Sequence, residues 1–150
     1  MGSDIHYVIE RKNDKYGWIG VFATDCALTT SFEQMHHYAP YSYRNRNYRF
    51  FGLLAGVRSE EGPDPLGLPE DMSALTAACA ESWGYDGHSH SYCSLKDFVA
   101  ARVNADLEIN ERVANKLKNI DLTKEALGKM LWMDDDTDAD NYRVVYWFDN

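Results

Sequence analysis

The chain has few of the features that would staple it, anchor it in a bilayer or announce a common catalytic site. Three cysteines occur in 150 residues, Cys26, Cys79 and Cys93, and none forms a Cys-x-x-Cys pair. An odd, scattered set of this kind excludes a disulfide framework and fits reduced cytosolic thiols. No apolar run reaches membrane-spanning length, and Asp4, His6, Glu10 and Arg11 interrupt the N-terminus where a signal peptide needs an uncharged stretch. The expectation is a cytoplasmic protein with no membrane partner. The opening Met-Gly-Ser resembles an expression scar but leads directly into strand-like sequence. Positive charge is scarce: 15 Lys and Arg stand against 24 Asp and Glu, for a net charge of −9. That balance argues against a duplex nucleic acid partner, because gripping the phosphate backbone relies on clustered Lys and Arg. No Gly-x-Gly-x-x-Gly, Walker or Gly-x-Ser-x-Gly pattern occurs, so neither a phosphate-cradling loop nor a nucleophile elbow is encoded.

What the chain does contain fits one packed domain over residues 1–150. The hydrophobic fraction is 45% and the aromatic fraction 13%, with ten Tyr, six Phe and four Trp. A chain of this length buries roughly two thirds of its unfolded surface, enough for a core without staples. No internal repeat or linker divides it. "DIHYVIERK" alternates polar and apolar residues, and after "NDK" the segment "YGWIGVF" completes an N-terminal hairpin. Residues 24–46 read as a long loop. "NYRFFGLLAGVR" sets Tyr48, Phe51, Leu54 and Ala55 at helical spacing. A Pro- and Gly-punctuated loop, "SEEGPDPLGLPED", precedes "DMSALTAACAESW", an alanine-rich helix that Asp71 or Ser73 can cap. Ser94 is placed to cap "LKDFVAARVNADLEINERVANKLKN", and "TKEALGKMLWM" predicts a further helix. The closing "NYRVVYWFDN" is strongly β-prone. The order predicts an α+β fold: a small antiparallel sheet, made of the N-terminal hairpin and the C-terminal strand, packed with several helices.

The chemistry-bearing residues concentrate in two places. "WGYDGHSHSY" puts Asp86, His88 and His90 at alternate positions, and in an extended segment the two histidines point the same way, about 6.6 Å apart at Cα. Two imidazoles so placed can converge on one metal ion, with Asp86 ligating directly or holding a histidine tautomer. "DIH" repeats the pattern, setting Asp4 and His6 on one face of the first strand. If that strand runs beside the His88 segment, Asp4, His6, His88 and His90 form a mixed cluster suited to zinc, manganese or iron. The plainer alternative is a strand histidine and a polar turn leading into the helix at Ser94. "YRNRNYR" holds Arg44, Arg46 and Arg49, the one dense positive spot, readable equally as a basic patch or a solvated loop entering a helix. "MDDDTDADNY" has the alternating aspartates of a calcium loop, but Ala139 and Val145 stand where an EF-hand needs Gly and Glu, so it reads as a solvated acidic turn. His36-His37 reads as loop surface, since adjacent side chains diverge.

"DIH", "RNYRFFGLLAGVR", "GLPEDMS", "WGYDGHSHSYCSLKDF" and "RVVYWFDN" together resemble a family of small, largely uncharacterised proteins encoded by bacteriophages and prophages. The resemblance spans nearly the whole chain. It implies a viral or prophage origin and a place in the host cytoplasm, and it draws attention to Asp4, His6, Arg46, Asn47, Tyr48, Arg58, Asp86, His88 and His90. Relatives often read Arg-Gly-Leu-Pro where Leu66 begins the motif here. Arginines with an Asn and a Tyr suit bidentate binding of phosphate or carboxylate oxygens.

The leading expectation is therefore a metal-dependent phosphoester hydrolase acting on a small anionic, nucleotide-like ligand. Asp4, His6, His88 and His90 would hold the metal, Asp86 and His88 would serve the chemistry, and Arg46, Asn47, Tyr48 and Arg58 would bind the ligand. Two rivals need no metal: a counter-defence protein that sequesters a host signalling nucleotide, and an acidic module that docks on a partner protein.

Overall fold

In a computed structural model the placement of residues 2–25, 46–111 and 139–150 is described. Strands β1 (Asp4–Asn13) and β2 (Gly17–Ala23) form the N-terminal hairpin. Its turn is held by Asn13, whose Oδ1 accepts from the backbone N–H groups of Lys15 at 2.9 Å and Tyr16 at 3.0 Å. Helix α1 (Tyr48–Ala55) starts where the Asn47 side chain accepts from Phe50 N–H and stops at Gly56, whose φ of 67° is open to glycine. Helix α2 (Ala74–Trp83) is capped by Ser73, which accepts from Thr76 N–H. Strand β3 (His88–Ser94) runs straight into α3 (Leu95–Glu111), where Ser94 Oγ accepts from Asp97 N–H at 3.1 Å. Strand β4 (Tyr142–Asp149) closes the fold.

The sheet order is β2-β1-β4-β3, antiparallel throughout. The α+β class, the hairpin and the pairing of the last strand beside the first all match the sequence reading. The fourth strand does not: "HSHSYCS" lacks the β-branched and aromatic density of a strand, and its pairing with β4 overrides that weak propensity. The helix predicted on "TKEALGKMLWM", most of the acidic turn, the His36-His37 pair and Arg44 lie outside the described residues.

Both faces of the central strands are covered. Ile5, Tyr7 and Ile9 of β1 and Val144, Tyr146 and Phe148 of β4 pack under α1 and α3 through Phe50, Phe51, Leu54 and Phe98. The opposite face, with Val8, Val145 and Trp147, packs under α2 through Cys79 and Ala80. No described helix is long and apolar enough to cross a membrane.

One charged pair is buried between these layers. Glu10 is wholly buried, and its Oε1 accepts from Arg143 Nε at 2.6 Å. Its Oε2 accepts from Ser73 N–H at 2.6 Å and Thr76 Oγ1 at 2.7 Å, so the carboxylate also serves the start of α2. Arg143 reaches on to Asp71 Oδ1 at 3.0 Å, and its guanidinium lies 4.1 Å from the Trp18 ring centre. Removing one partner leaves a buried, uncompensated charge. Glu10→Ala is therefore expected to lower unfolding free energy by about 3–5 kcal/mol, whereas Arg49→Ala, which breaks a surface tie to Glu61 and Glu108, costs well under half as much; urea denaturation of the two variants measures the contrast.

Candidate functional site

Antiparallel pairing of β1 with β4 puts Asp4 opposite Asp149 and His6 opposite Trp147. Ser3 and Asn150 therefore meet beyond the last rung, where Ser3 Oγ donates to Asn150 Oδ1 at 3.0 Å. From the neighbouring strand His88 reaches the same oxygen, its Nε2 lying 3.2 Å away. The acceptor is a carbonyl-type oxygen, so Nε2 carries the proton, and Nδ1 accepts from the Ser89 hydroxyl at 3.0 Å. From the other side Arg58 Nε donates to Ser3 Oγ at 3.2 Å. The Arg58 guanidinium lies 4.8 Å from the ring centre of Tyr48, the first residue of α1. Beside this chain of contacts Arg46 grips Asp4 with both prongs, Nε to Oδ1 at 2.7 Å and Nη2 to Oδ2 at 3.0 Å.

One end of the sheet thus gathers Asp4, Arg46, Tyr48, Arg58 and His88. Backbone strain marks the same place. Arg58 (φ 54°) and Ser89 (φ 55°) are the non-glycine residues in the left-handed region among those described, and such a conformation costs on the order of 1–3 kcal/mol per residue.

The expected metal cluster is not assembled there. Strand β4 lies between β1 and β3, so the opening strand does not run beside the histidine pair. The two histidines also part company. His88 pairs with Phe148 and Ser91 with Tyr146, so three steps on β3 match two on β4. The extra residue is a β-bulge at the left-handed Ser89, and a one-residue insertion reverses the alternation of side chains. His88 accordingly stacks on Phe148, on the α1 side of the sheet, with ring centres 6.3 Å apart. His90 stacks on Trp147, on the α2 side, at 5.9 Å. The prediction that they share a side assumed an unbroken pleat. Among the described residues no three His, Cys, Asp or Glu side chains are grouped to hold a metal ion.

His6 has a structural setting instead. It is buried, stacked at 4.0 Å on Trp83, with Nδ1 2.8 Å from Asp25 Oδ2 and Nε2 3.5 Å from Asp149 Oδ1. Asn47 is engaged in capping α1. Asp86 sits exposed in a 3-10 turn, Gly84–Asp86, and makes no ion pair with either histidine. The sequence reading missed Ser3, Asp25, Asp149 and Asn150. Three of them were reachable: pairing the first strand with the last sets Asp149 and Asn150 beside Asp4 and Ser3, and continuing the hairpin register from Val8–Ala23 brings Asp25 opposite His6.

His90 carries a testable electrostatic consequence. Burial disfavours its charged form and the neighbouring His88 adds to the effect, so its pKa lies below the ordinary 6.5. A depressed folded-state value means the unfolded chain binds the proton first; the contribution to stability is complete above about 6.5 and is lost as pH falls through the folded-state pKa. NMR titration is expected to give His90 a midpoint below 6.5, and His88→Ala is expected to raise it only in part, because burial is the larger cause. A midpoint at or above 6.5 contradicts the buried stacking on Trp147. No family model matches this chain, and neither the curated proteins nor the solved structures contain a match to it.

Proposed function

We propose that the protein captures a small phosphate-bearing anion, nucleotide-like in character, at the Arg46–Arg58 end of the sheet and holds it without turning it over. The observation that carries this reading is the bidentate seat of Asp4 on Arg46. A guanidinium fork that fits two carboxylate oxygens also fits two phosphate oxygens, so Asp4 marks the position a phosphate edge would take. Arg46 is half-exposed, which leaves the fork open to exchange one oxyanion for another. Arg58 brings a second guanidinium, Tyr48 an aromatic face, and His88 a protonated Nε2 aimed at the same corner. That set binds charge and a ring. It offers no nucleophile or general base already positioned for hydrolysis, and the expected metal donors are not drawn together: His88 lies on the Phe148 side of the sheet, and Trp147 stands between His6 and His90 on the other. Residues that fit a metal poorly give the hydrolase reading no step to stand on.

The resemblance to phage-encoded proteins supports a setting for such capture: sequestering a signalling nucleotide of the host. Capture and hydrolysis separate in one experiment. The protein is incubated with a panel of linear and cyclic nucleotides, with and without added zinc or manganese, then denatured and its ligand analysed. Intact nucleotide is the expected product, and Arg46→Ala and Arg58→Ala are each expected to weaken binding on the order of tenfold or more, since each removes a charge-assisted contact. Cleavage products would replace capture by catalysis. A panel with no binder, or binding indifferent to both arginines, removes the reading.

A further inference from the structure

A cavity lies beside α1, with neither Arg46 nor Arg58 in its lining. It is about 440 Å³, framed by α1, α3, β3 and the loop before α2. Its walls are apolar: Leu53 and Leu54 from α1, Leu66 from the loop and Ala101 from α3. That volume and lining suit a small organic ligand.

Among the described residues the charged groups of this cavity have one sign. On its floor the backbone N–H of Leu66 donates to Ser91 Oγ at 3.1 Å, and the Tyr146 hydroxyl donates to the Leu54 carbonyl at 3.2 Å. The Leu66 N–H and the Tyr146 phenol proton are thus used within the protein, while both hydroxyl oxygens keep acceptor lone pairs. At the rim stand the exposed carboxylates of Asp64 and Asp97, neither in an ion pair among the described residues. Among the described residues no lysine or arginine lines the cavity. Burial, with the Asp97 charge adding to it, pushes the Cys93 thiol up to about 12, which keeps that sulfur protonated and unreactive at neutral pH. Two exposed carboxylates beside an apolar well are complementary to a ligand that brings an apolar body and positive charge.

We propose that this cavity is a binding site for an organic ammonium, a primary amine on a compact apolar or aromatic body. The body fills the space between Leu54, Leu66 and Ala101, and the ammonium meets Asp97 and Asp64 at the mouth. The site is distinct from the arginine-lined end of the sheet and does not depend on what binds there.

A series of three probes of one shape tests the charge requirement: phenethylamine, 2-phenylethanol and phenylacetate, titrated into the full chain at pH 7 and followed by NMR. The amine is expected to bind at least tenfold more tightly than the alcohol, on the order of what two solvent-exposed carboxylates contribute, with amide shifts centred on Cys93 and Ala101. Phenylacetate is expected to bind most weakly. The double variant Asp64→Asn, Asp97→Asn, its fold checked by circular dichroism, is expected to lower amine affinity to that of the alcohol. Arg58→Ala is expected to leave amine binding unchanged. Equal binding of the three probes, a preference for the carboxylate, no binding at millimolar concentration, or an amine preference that survives the double variant each overturns the proposal.

Discussion

The antiparallel pairing of the first strand with the last is the constraint on which the rest of the molecule depends. It joins residues some 140 positions apart, Asp4 with Asp149 and Arg11 with Tyr142, and it buries both faces of both strands. Glu10 and Arg143 are direct partners in that register, so their buried ion pair acts as a pin. A slip of one residue turns every side chain to the other face. Glu10 would then stand among Phe50, Phe98 and Tyr146, parted from Arg143, a cost of several kcal/mol. The same carboxylate receives the N–H of Ser73, so the register also fixes where α2 begins. A purely apolar pair at this rung would pack as well and specify less.

The site at the sheet end follows from this register. Side chains on the apolar stripes of β1 and β4 are committed to the two cores, and polar function is left to the residues at and beyond the final rung: Ser3, Asp4, Asp149 and Asn150. They are joined from one flank by Arg46 and Arg58 around α1, and from the other by His88 at the start of β3. The bulge at Ser89 decides which histidine takes part. It keeps His88 on the Phe148 side with the arginines and turns His90 toward Trp147. The strained backbone at Ser89 and Arg58 is what aims those two side chains.

Most of the fold was legible because it rests on local rules. Ser73 and Ser94 cap helices as their residue types require, and the hairpin obeys the two-residue period, whereas Asn47, read as a ligand contact, caps α1. Strand β3 was not legible, since histidine and serine give no strand signal and its pairing partner lies more than fifty residues away. The bulge was legible only in structure: nothing in "GHSHSY" distinguishes a regular pleat from one carrying an extra residue. That single residue separates a convincing two-histidine motif from a metal site. The arginines fared better, as their shared position rests on the ends of one short helix, Arg46 just before α1 and Arg58 just after it.

An aromatic row relates the two regions proposed to bind ligands. Tyr48 meets Phe51 edge-on at 5.9 Å, Phe51 meets Phe148 at 5.1 Å, and Phe148 meets Tyr146 at 6.2 Å. Tyr48 stands under Arg58 at one end of the row, and Tyr146 forms the floor of the acceptor-lined cavity at the other. The rings between them are fully buried, so neither water nor a ligand passes along the row. The Arg58 guanidinium stands at one end of the row and the carboxylates of Asp64 and Asp97 line the cavity at the other, while Arg46 is paired with Asp4, on a chain whose net charge is −9. Overall charge sets the long-range field that an approaching ligand meets, while the local sign of each lining sets what stays bound. On the capture proposed above, the anion would take the place of Asp4 on Arg46 beside Arg58, while the exposed carboxylates Asp64 and Asp97 belong to the separate cavity.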